Sequence, residues 1–214
     1  MAAAEVIGHA PPDRIELGTY ILMALTAGEP GTPVSIQNGD HEDLGYAFKD
    51  ALAETGASID YADDAVTVVP PETIPAVSIT TGTYPGFPTD LQAQWTVLLM
   101  ASEGVGAVTD TIYDDRFKHV PELQRLGADI SVTGNTATVR GGTPLKGAKV
   151  MSTDLRASVS LVMAGMIAEG TTDVLRVYHL DRGYENLEGK LQDAGIAIER
   201  EPYDEFAEPE PESA

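Results

Sequence analysis

The sequence predicts a mixed α/β (α+β) domain in which a βαβαββ-like unit recurs with pseudo-threefold symmetry. Three observations predict it: a glycine-centred pattern that appears three times, a long apolar helix ahead of each copy, and alternating β-rich stretches between them. In such a domain the apolar helices lie inside, with sheets and the remaining helices around them.

The glycine pattern reads Leu-x-x-x-Gly-[Ala/Ile]-x-Ile and spans Leu52 to Ile59, Leu123 to Ile130 and Leu191 to Ile198. Its glycines, Gly56, Gly127 and Gly195, recur at intervals of about 70 residues, longer than solenoid repeats. Each copy begins as an amphipathic helix, reaches a glycine suited to a left-handed cap, and passes into an alternating strand. Ser58-Ile59-Asp60-Tyr61 and Asp129-Ile130-Ser131-Val132 are the first two of those strands, and a third is expected after Gly195.

Ahead of each copy stands an apolar segment opened by an acid: Asp13 to Ala27, Asp90 to Glu103 and Asp154 to Glu169. The aspartates suit an N-cap, because a short carboxylate can accept from the free amides of the first turn. These helices are apolar nearly all round and rich in small residues, so they are expected to be buried. Strands are expected after them at Ala107–Tyr113 and Thr172–Tyr178, and before the second and third at Ala76–Thr81, Thr136–Arg140 and Lys149–Met151. The first copy lacks a recognisable leading strand. The units divide at about 13–75, 76–140 and 141–200, after a lead-in over 1–12. The Pro-Glu-rich segment 201–214 has little to bury and is expected to be a disordered acidic tail.

The formal charge of −21, from 34 acids against 13 bases, disfavours nucleic acid and anionic lipid as partners. The acids are scattered, as on a salt-adapted surface. Cysteine is absent, which removes disulfides, thiolate zinc sites and cysteine nucleophiles. No apolar run approaches a membrane span and no secretory leader is visible, so a cytoplasmic location is expected. No P-loop, dinucleotide glycine fingerprint, metal-spaced histidine set or Ser-His-Asp order is present, and no cofactor is expected.

Candidate chemistry gathers where strands run into helices. Thr89 and Asp90 sit at the mouth of the second apolar helix, and Asp154 opens the third with Arg156 close behind. Arg116 follows the strand expected through Ile112, and Arg182 lies in His179-Leu180-Asp181-Arg182-Gly183-Tyr184-Glu185. Arginines at equivalent ends of repeated units would share one face, where converging guanidiniums bind carboxylate or phosphate. The alternative is that each pairs with its neighbouring acid, Asp115, Asp154 or Asp181.

Four stretches carry a family resemblance: Phe87 to Gln94 (FPTDLQAQ), Arg116 to Leu123 (RFKHVPEL), Thr153 to Ser158 (TDLRAS), and His179 to Glu185 (HLDRGYE). Together with Pro12 to Glu16 and Gly18-Thr19 they resemble the UDP-N-acetylglucosamine enolpyruvyl transferases, over about Asp13 to Arg200. The resemblance implies an inside-out α/β barrel and transfer of the enolpyruvyl group of phosphoenolpyruvate to the sugar 3-hydroxyl, in peptidoglycan precursor synthesis. It also implies Asp90 as the proton-transfer carboxylate beside that hydroxyl, with Thr89 beside it. Ile112 would contact the sugar nucleotide, Arg116 and Arg182 would hold phosphoenolpyruvate, and Asp154 with Arg156 would line the cleft. Family members have a second domain carrying a Lys-Asn pair and a proton-donor loop with Cys or Asp. Neither occurs here, so the chain is expected to be a partial, inactive enzyme whose missing half is supplied in cis or in trans. A non-catalytic phosphometabolite-binding module and the shikimate-branch transferase are the alternatives.

Overall fold

The computed structural model describes residues 12–202. The expectations for most of the lead-in and most of the acidic tail therefore lie outside the described residues. Three helices form the centre: α1 (Arg14–Ala27), α3 (Gln92–Ala101) and α5 (Leu155–Ile167). Each packs against the other two. Their burial follows from composition: every residue from Gln92 to Met100 of α3 is buried, and α1 and α5 bury most of their lengths. Gly18 matters here, because a Cβ at that position would come 2.6 Å from the Leu91 side chain. Its absence lets α1 lie directly against the turn that carries Asp90.

Around this centre stand three sheets, one in each repeat. The first has order β1 (Val34–Gln37), β3 (Ala65–Val69), β2 (Ser58–Tyr61), all antiparallel. The second has order β4 (Ile79–Thr80), β5 (Val105–Thr109), β7 (Thr136–Arg140), β6 (Asp129–Thr133), with β4 parallel to β5 and the other pairs antiparallel. Among the described residues the third comprises β8 (Lys149–Met151) and β9 (Asp173–Leu175), in parallel. Three shorter helices, α2 (Tyr46–Glu54), α4 (Val120–Arg125) and α6 (Leu187–Asp193), precede the repeated glycines. Gly56, Gly127 and Gly195 have φ of 78°, 98° and 87°, the left-handed region in which a side chain would be strained. The chain therefore turns away from each short helix at the same point of each repeat.

The core is continuous. Trp95 is fully buried and donates from Nε1 to the Val77 carbonyl at 2.9 Å. Its ring packs edge-on against Phe48 and Phe87 at 6.2 and 5.2 Å, joining α2 of the first repeat to α3 of the second.

Several expected strands are shorter or absent. The strand expected over Ala107–Tyr113 ends at Thr109, because the Asp110 carboxylate accepts from the amides of Ile112 and Tyr113 at 2.8 and 3.0 Å and curls the chain into a turn. Of Thr172–Tyr178 only Asp173–Leu175 is strand; Arg176, at φ 58°, breaks the extension and a 3-10 segment follows over Val177–Arg182. Of Ala76–Thr81 only Ile79–Thr80 is strand, and Thr81 adds an isolated parallel bridge to Phe87. The strand expected after Gly195 does not form, since Ile196 to Arg200 has no strand beside it among the described residues.

Candidate active site

The three aspartates that open the central helices occupy equivalent positions but not equivalent roles. Asp13 caps α1 by accepting from the Ile15 amide at 2.7 Å. Asp154 caps α5 by accepting from the amides of Arg156 and Ala157 at 2.8 and 3.0 Å. Asp90 caps nothing, contrary to the expectation of an N-cap, because a 3-10 turn over Thr89–Leu91 runs directly into α3 and places Asp90 inside the helical spiral. Its carboxylate is left for side-chain partners.

Two arginines take it. Arg116 Nη2 lies 2.7 Å from Asp90 Oδ1, and Arg156 Nη2 lies 3.2 Å from Asp90 Oδ2. The three side chains are 27 %, 19 % and 38 % exposed for Arg116, Arg156 and Asp90, so the cluster is partly shielded yet reachable from solvent. Arg156 is carried by the first turn of α5. Arg116 comes from the loop after β5, where its guanidinium stacks 5.0 Å from the Tyr113 ring and its carbonyl accepts from Gln92 Nε2 at 3.4 Å. Pairing with adjacent acids does not occur: Asp115 pairs with Lys118, the Asp154 carboxylate is spent on its cap, and Asp181 pairs with Arg200 at 2.8 Å.

Thr89 donates to Asp110 Oδ2 at 2.6 Å, and the same carboxylate orders the turn through Ile112. Thr89, Asp90 and Ile112 consequently line one concavity of about 180 Å³, with Arg14, Ile15 and Tyr84 on its other walls. A larger groove of about 910 Å³ runs between α1, β1 and α6; it is lined mainly by apolar side chains and lies away from the arginines.

Arg182 is the one expected member not joined to the cluster. It closes the exposed 3-10 segment that packs on α5, with Gly183 against the Leu155 side chain, but no described hydrogen bond or ion pair links it to Asp90.

Residues that sequence reasoning did not single out complete the site. His119 is 2 % exposed, and burial lowers its pKa to about 4; nearby Asp154 opposes that shift and Arg116 adds to it. The ring is therefore neutral at pH 7, beneath the cluster. Gln92, Gln94, Thr19 and Tyr184 are also buried. For Thr19, Gln92 and Gln94 the signal that could have found them is polarity inside helices that are otherwise apolar, since a buried polar group has to find partners; His119 and Tyr184 lie outside those helices.

Chemically, the cluster offers two guanidiniums from different repeats held against one carboxylate. Such a pair can receive a carboxylate or phosphate in fork geometry, and the displaced Asp90 can then accept a proton. Among the described residues, no group of His, Asp or Glu is placed to hold a metal ion, and no helix is long and apolar enough to cross a membrane.

Comparison with known proteins places the chain in a family. The family profile described as EPSP synthase (3-phosphoshikimate 1-carboxyvinyltransferase) matches residues 4–191. The UDP-N-acetylglucosamine 1-carboxyvinyltransferase of Chloroherpeton thalassium is 49% identical over 199 residues, covering 92% of this chain and 45% of the relative. That of Desulfosudis oleivorans is 50% identical over 190 residues, covering 88% and 44%. Among solved structures, the enolpyruvyl transferase NikO from Streptomyces tendae superposes with a TM-score of 0.77 at 27% identity, covering 86% of this chain and 43% of that one. An EPSP synthase from Acinetobacter baumannii shares the fold, with a TM-score of 0.72 at 17% identity. The chain spans less than half the length of the curated relatives it matches. On the profile match and the shared fold together, this chain belongs to the EPSP synthase family of enolpyruvyl transferases.

Proposed function

We propose that this chain supplies one half of the active site of a UDP-N-acetylglucosamine enolpyruvyl transferase, acting in the cytoplasm at the first committed step of peptidoglycan precursor synthesis. The observation that carries the reading is the meeting of Arg116 and Arg156, from different repeats, at the two oxygens of Asp90. Identity near 50% to carboxyvinyltransferases of the sugar-nucleotide branch favours that acceptor over shikimate 3-phosphate.

In this reading phosphoenolpyruvate brings its carboxylate and phosphate to the arginines, which a chain of net charge −21 has to gather locally to admit such an anion. The incoming anion takes guanidinium hydrogen bonds from Asp90. The freed carboxylate accepts the proton of the sugar 3-hydroxyl as its oxygen attacks the enol carbon; the tetrahedral intermediate then expels phosphate as its newly formed methyl group gives a proton back to the donor that supplied it. Ile112 and Thr89 flank the acceptor, Arg182 joins the anion site when substrate is bound, and Asp154 holds Arg156 by fixing the first turn of α5. The enol methylene proton comes from a donor outside this chain.

The partner is the complementary half of the enzyme, in cis or in trans. The third sheet supports this, because among the described residues it has two strands where the sheet of the second repeat has four. Yet Gln192 Nε2 donates to the Ile198 carbonyl at 2.6 Å, as Gln124 Nε2 donates to the Ile130 carbonyl of β6 at 2.8 Å. Ile196 to Arg200 thus sits where a sheet strand belongs, ready for a neighbour from outside the described residues.

The test combines the purified chain with the portion of the Chloroherpeton thalassium relative that it does not match. Phosphate release is measured with phosphoenolpyruvate and either UDP-N-acetylglucosamine or shikimate 3-phosphate. The expected result is release with the sugar nucleotide only, and only in the mixture. Co-eluting halves that bind the sugar nucleotide without releasing phosphate would make the chain a binding module. Release by the chain alone would overturn its assignment as a partial enzyme.

A further inference from the structure

Asp110, the residue after β5, is an acid left 2 % exposed. Burying a carboxylate is costly unless hydrogen bonds satisfy both oxygens, and here they do. Oδ1 accepts from the amides of Ile112 and Tyr113 at 2.8 and 3.0 Å, and Oδ2 accepts from the Thr89 hydroxyl at 2.6 Å. The backbone beneath is pinned as well. The Asp110 amide donates to the Asn135 carbonyl at 2.9 Å, and Asn135 Nδ2 donates back to the Asp110 carbonyl at 3.0 Å, at the tip of the β6–β7 hairpin.

The other repeats turn the chain at this point without a carboxylate. The residues that follow β1 and β9 are Asn38 and Arg176, and both take φ of 58°. The second repeat alone uses a side chain that accepts from its own turn and also reaches Thr89, 21 residues earlier and next to Asp90. The turn by itself does not require an acid. An asparagine oxygen could accept from the same two amides and would be cheaper to bury. What distinguishes the carboxylate is its second oxygen. A carboxylate has no hydrogen to give, so the single hydroxyl hydrogen of Thr89 is spent on Asp110. Thr89 therefore keeps only lone pairs for the concavity it lines with Asp90 and Ile112.

We propose that Asp110 is a positioning residue for the acceptor substrate, fastening the Thr89–Asp90 turn to the Ile112 turn and holding the Thr89 hydroxyl as a hydrogen-bond acceptor. A ligand group that donates a hydrogen, such as a second hydroxyl of the sugar, is favoured beside Thr89 over one that only accepts. Asp110 acts through Thr89 and does not itself touch substrate. Its part in acceptor binding rests on the function proposed above; the fastening does not.

Amide hydrogen exchange in the chain alone tests the fastening. Asp110→Asn retains an oxygen for Ile112 and Tyr113 and should leave their exchange within about threefold of native, whereas Asp110→Ala should speed it roughly tenfold or more. Steady-state kinetics of the complemented enzyme test the direction of the Thr89 hydroxyl. In Asp110→Asn the amide nitrogen donates to Thr89 and turns the hydroxyl hydrogen into the concavity. The KM for UDP-N-acetylglucosamine should rise about tenfold, with kcat and the KM for phosphoenolpyruvate within about twofold of native. Thr89→Val should raise the same KM similarly. Adding Asp110→Asn to Thr89→Val should change nothing further, because the hydroxyl through which Asp110 acts is gone. A merely structural role would make the two losses multiply, or would move kcat and both KM values together. Either of those results, or a native acceptor KM in Asp110→Asn, would overturn the proposal; should Asp110→Ala not fold, the asparagine and valine variants decide it. The expected exchange pattern in chains whose complemented forms release no phosphate would uphold the fastening and sink the functional reading instead.

Discussion

The starts of α3 and α5 carry the same signal, an aspartate ahead of a buried helix, and the structure puts it to opposite uses. At α5 the Asp154 backbone is extended and the carboxylate closes on two amides of the first turn. At α3 the spiral begins earlier, with the Leu91 amide donating to the Pro88 carbonyl and the Gln92 amide to the Thr89 carbonyl. Asp90 is swept inside the turn and its oxygens face sideways, where Arg116 and Arg156 meet them. A repeat can therefore keep its capping acid in two copies and redirect the third to chemistry simply by winding the helix back a few residues.

That contrast sets the predictions. The largest effect is expected from Asp90→Asn in the complemented enzyme, with phosphate release falling about 10²–10⁴-fold as the proton acceptor is lost. Asp154→Asn, which retains a capping side chain, should stay within several-fold of the native rate. Comparable losses in both variants would erase the distinction.

Next in size is the core that joins the repeats. Trp95→Ala should cost about 3–5 kcal/mol, measured by urea unfolding, because it empties the space between Phe48 and Phe87 and orphans the Val77 carbonyl. A loss below about 1 kcal/mol would show that the first two repeats do not depend on this contact.

His119 gives a pH signature. Its folded pKa, lowered to about 4 from the ordinary 6.5, means that the unfolded chain takes up a proton in that interval while the folded chain does not. Its contribution to stability is complete above pH 6.5 and is lost as pH falls towards 4, at up to about 1.4 kcal/mol per pH unit. Unfolding free energies measured across this range should show that slope in the native chain and a shallower one in His119→Gln. Identical slopes would place the titration elsewhere.

The smallest effect separates the caps themselves. Asp154→Ala should lower stability by about 1 kcal/mol in thermal unfolding, and Asp13→Ala similarly. Asp90→Ala should not show a capping loss.

Sequence pattern made the framework readable because each signal is local. The three glycines with positive φ, the acid-led apolar helices, and the strands Ser58–Tyr61, Thr136–Arg140 and Lys149–Met151 all follow from residues within a turn or two of one another. Strand ends were less legible: Asp110 and Arg176 stop extension by side-chain and backbone choices that alternation does not encode. The failed strand after Gly195 has the correct pattern and lacks only a described neighbour. At the site, motif resemblance brought Asp90, Arg116 and Arg156 to attention, but their mutual geometry spans 26 and 66 residues of separation. The Thr19–Tyr184 contact spans 165, beyond any local pattern. Arg182 shares their motif type yet remains at the surface, since the 3-10 segment that bears it presents it outward.

The central claim is that Arg116 and Arg156 act together as one anion fork at Asp90. Calorimetric titration of phosphoenolpyruvate into the complemented enzyme tests it most directly, using Arg116→Lys and Arg156→Lys, which keep the charge but lose the fork, beside Arg125→Lys as a control outside the cluster. Affinity should fall by about tenfold or more in each of the first two and stay native in the control; native affinity in either cluster variant would contradict the account.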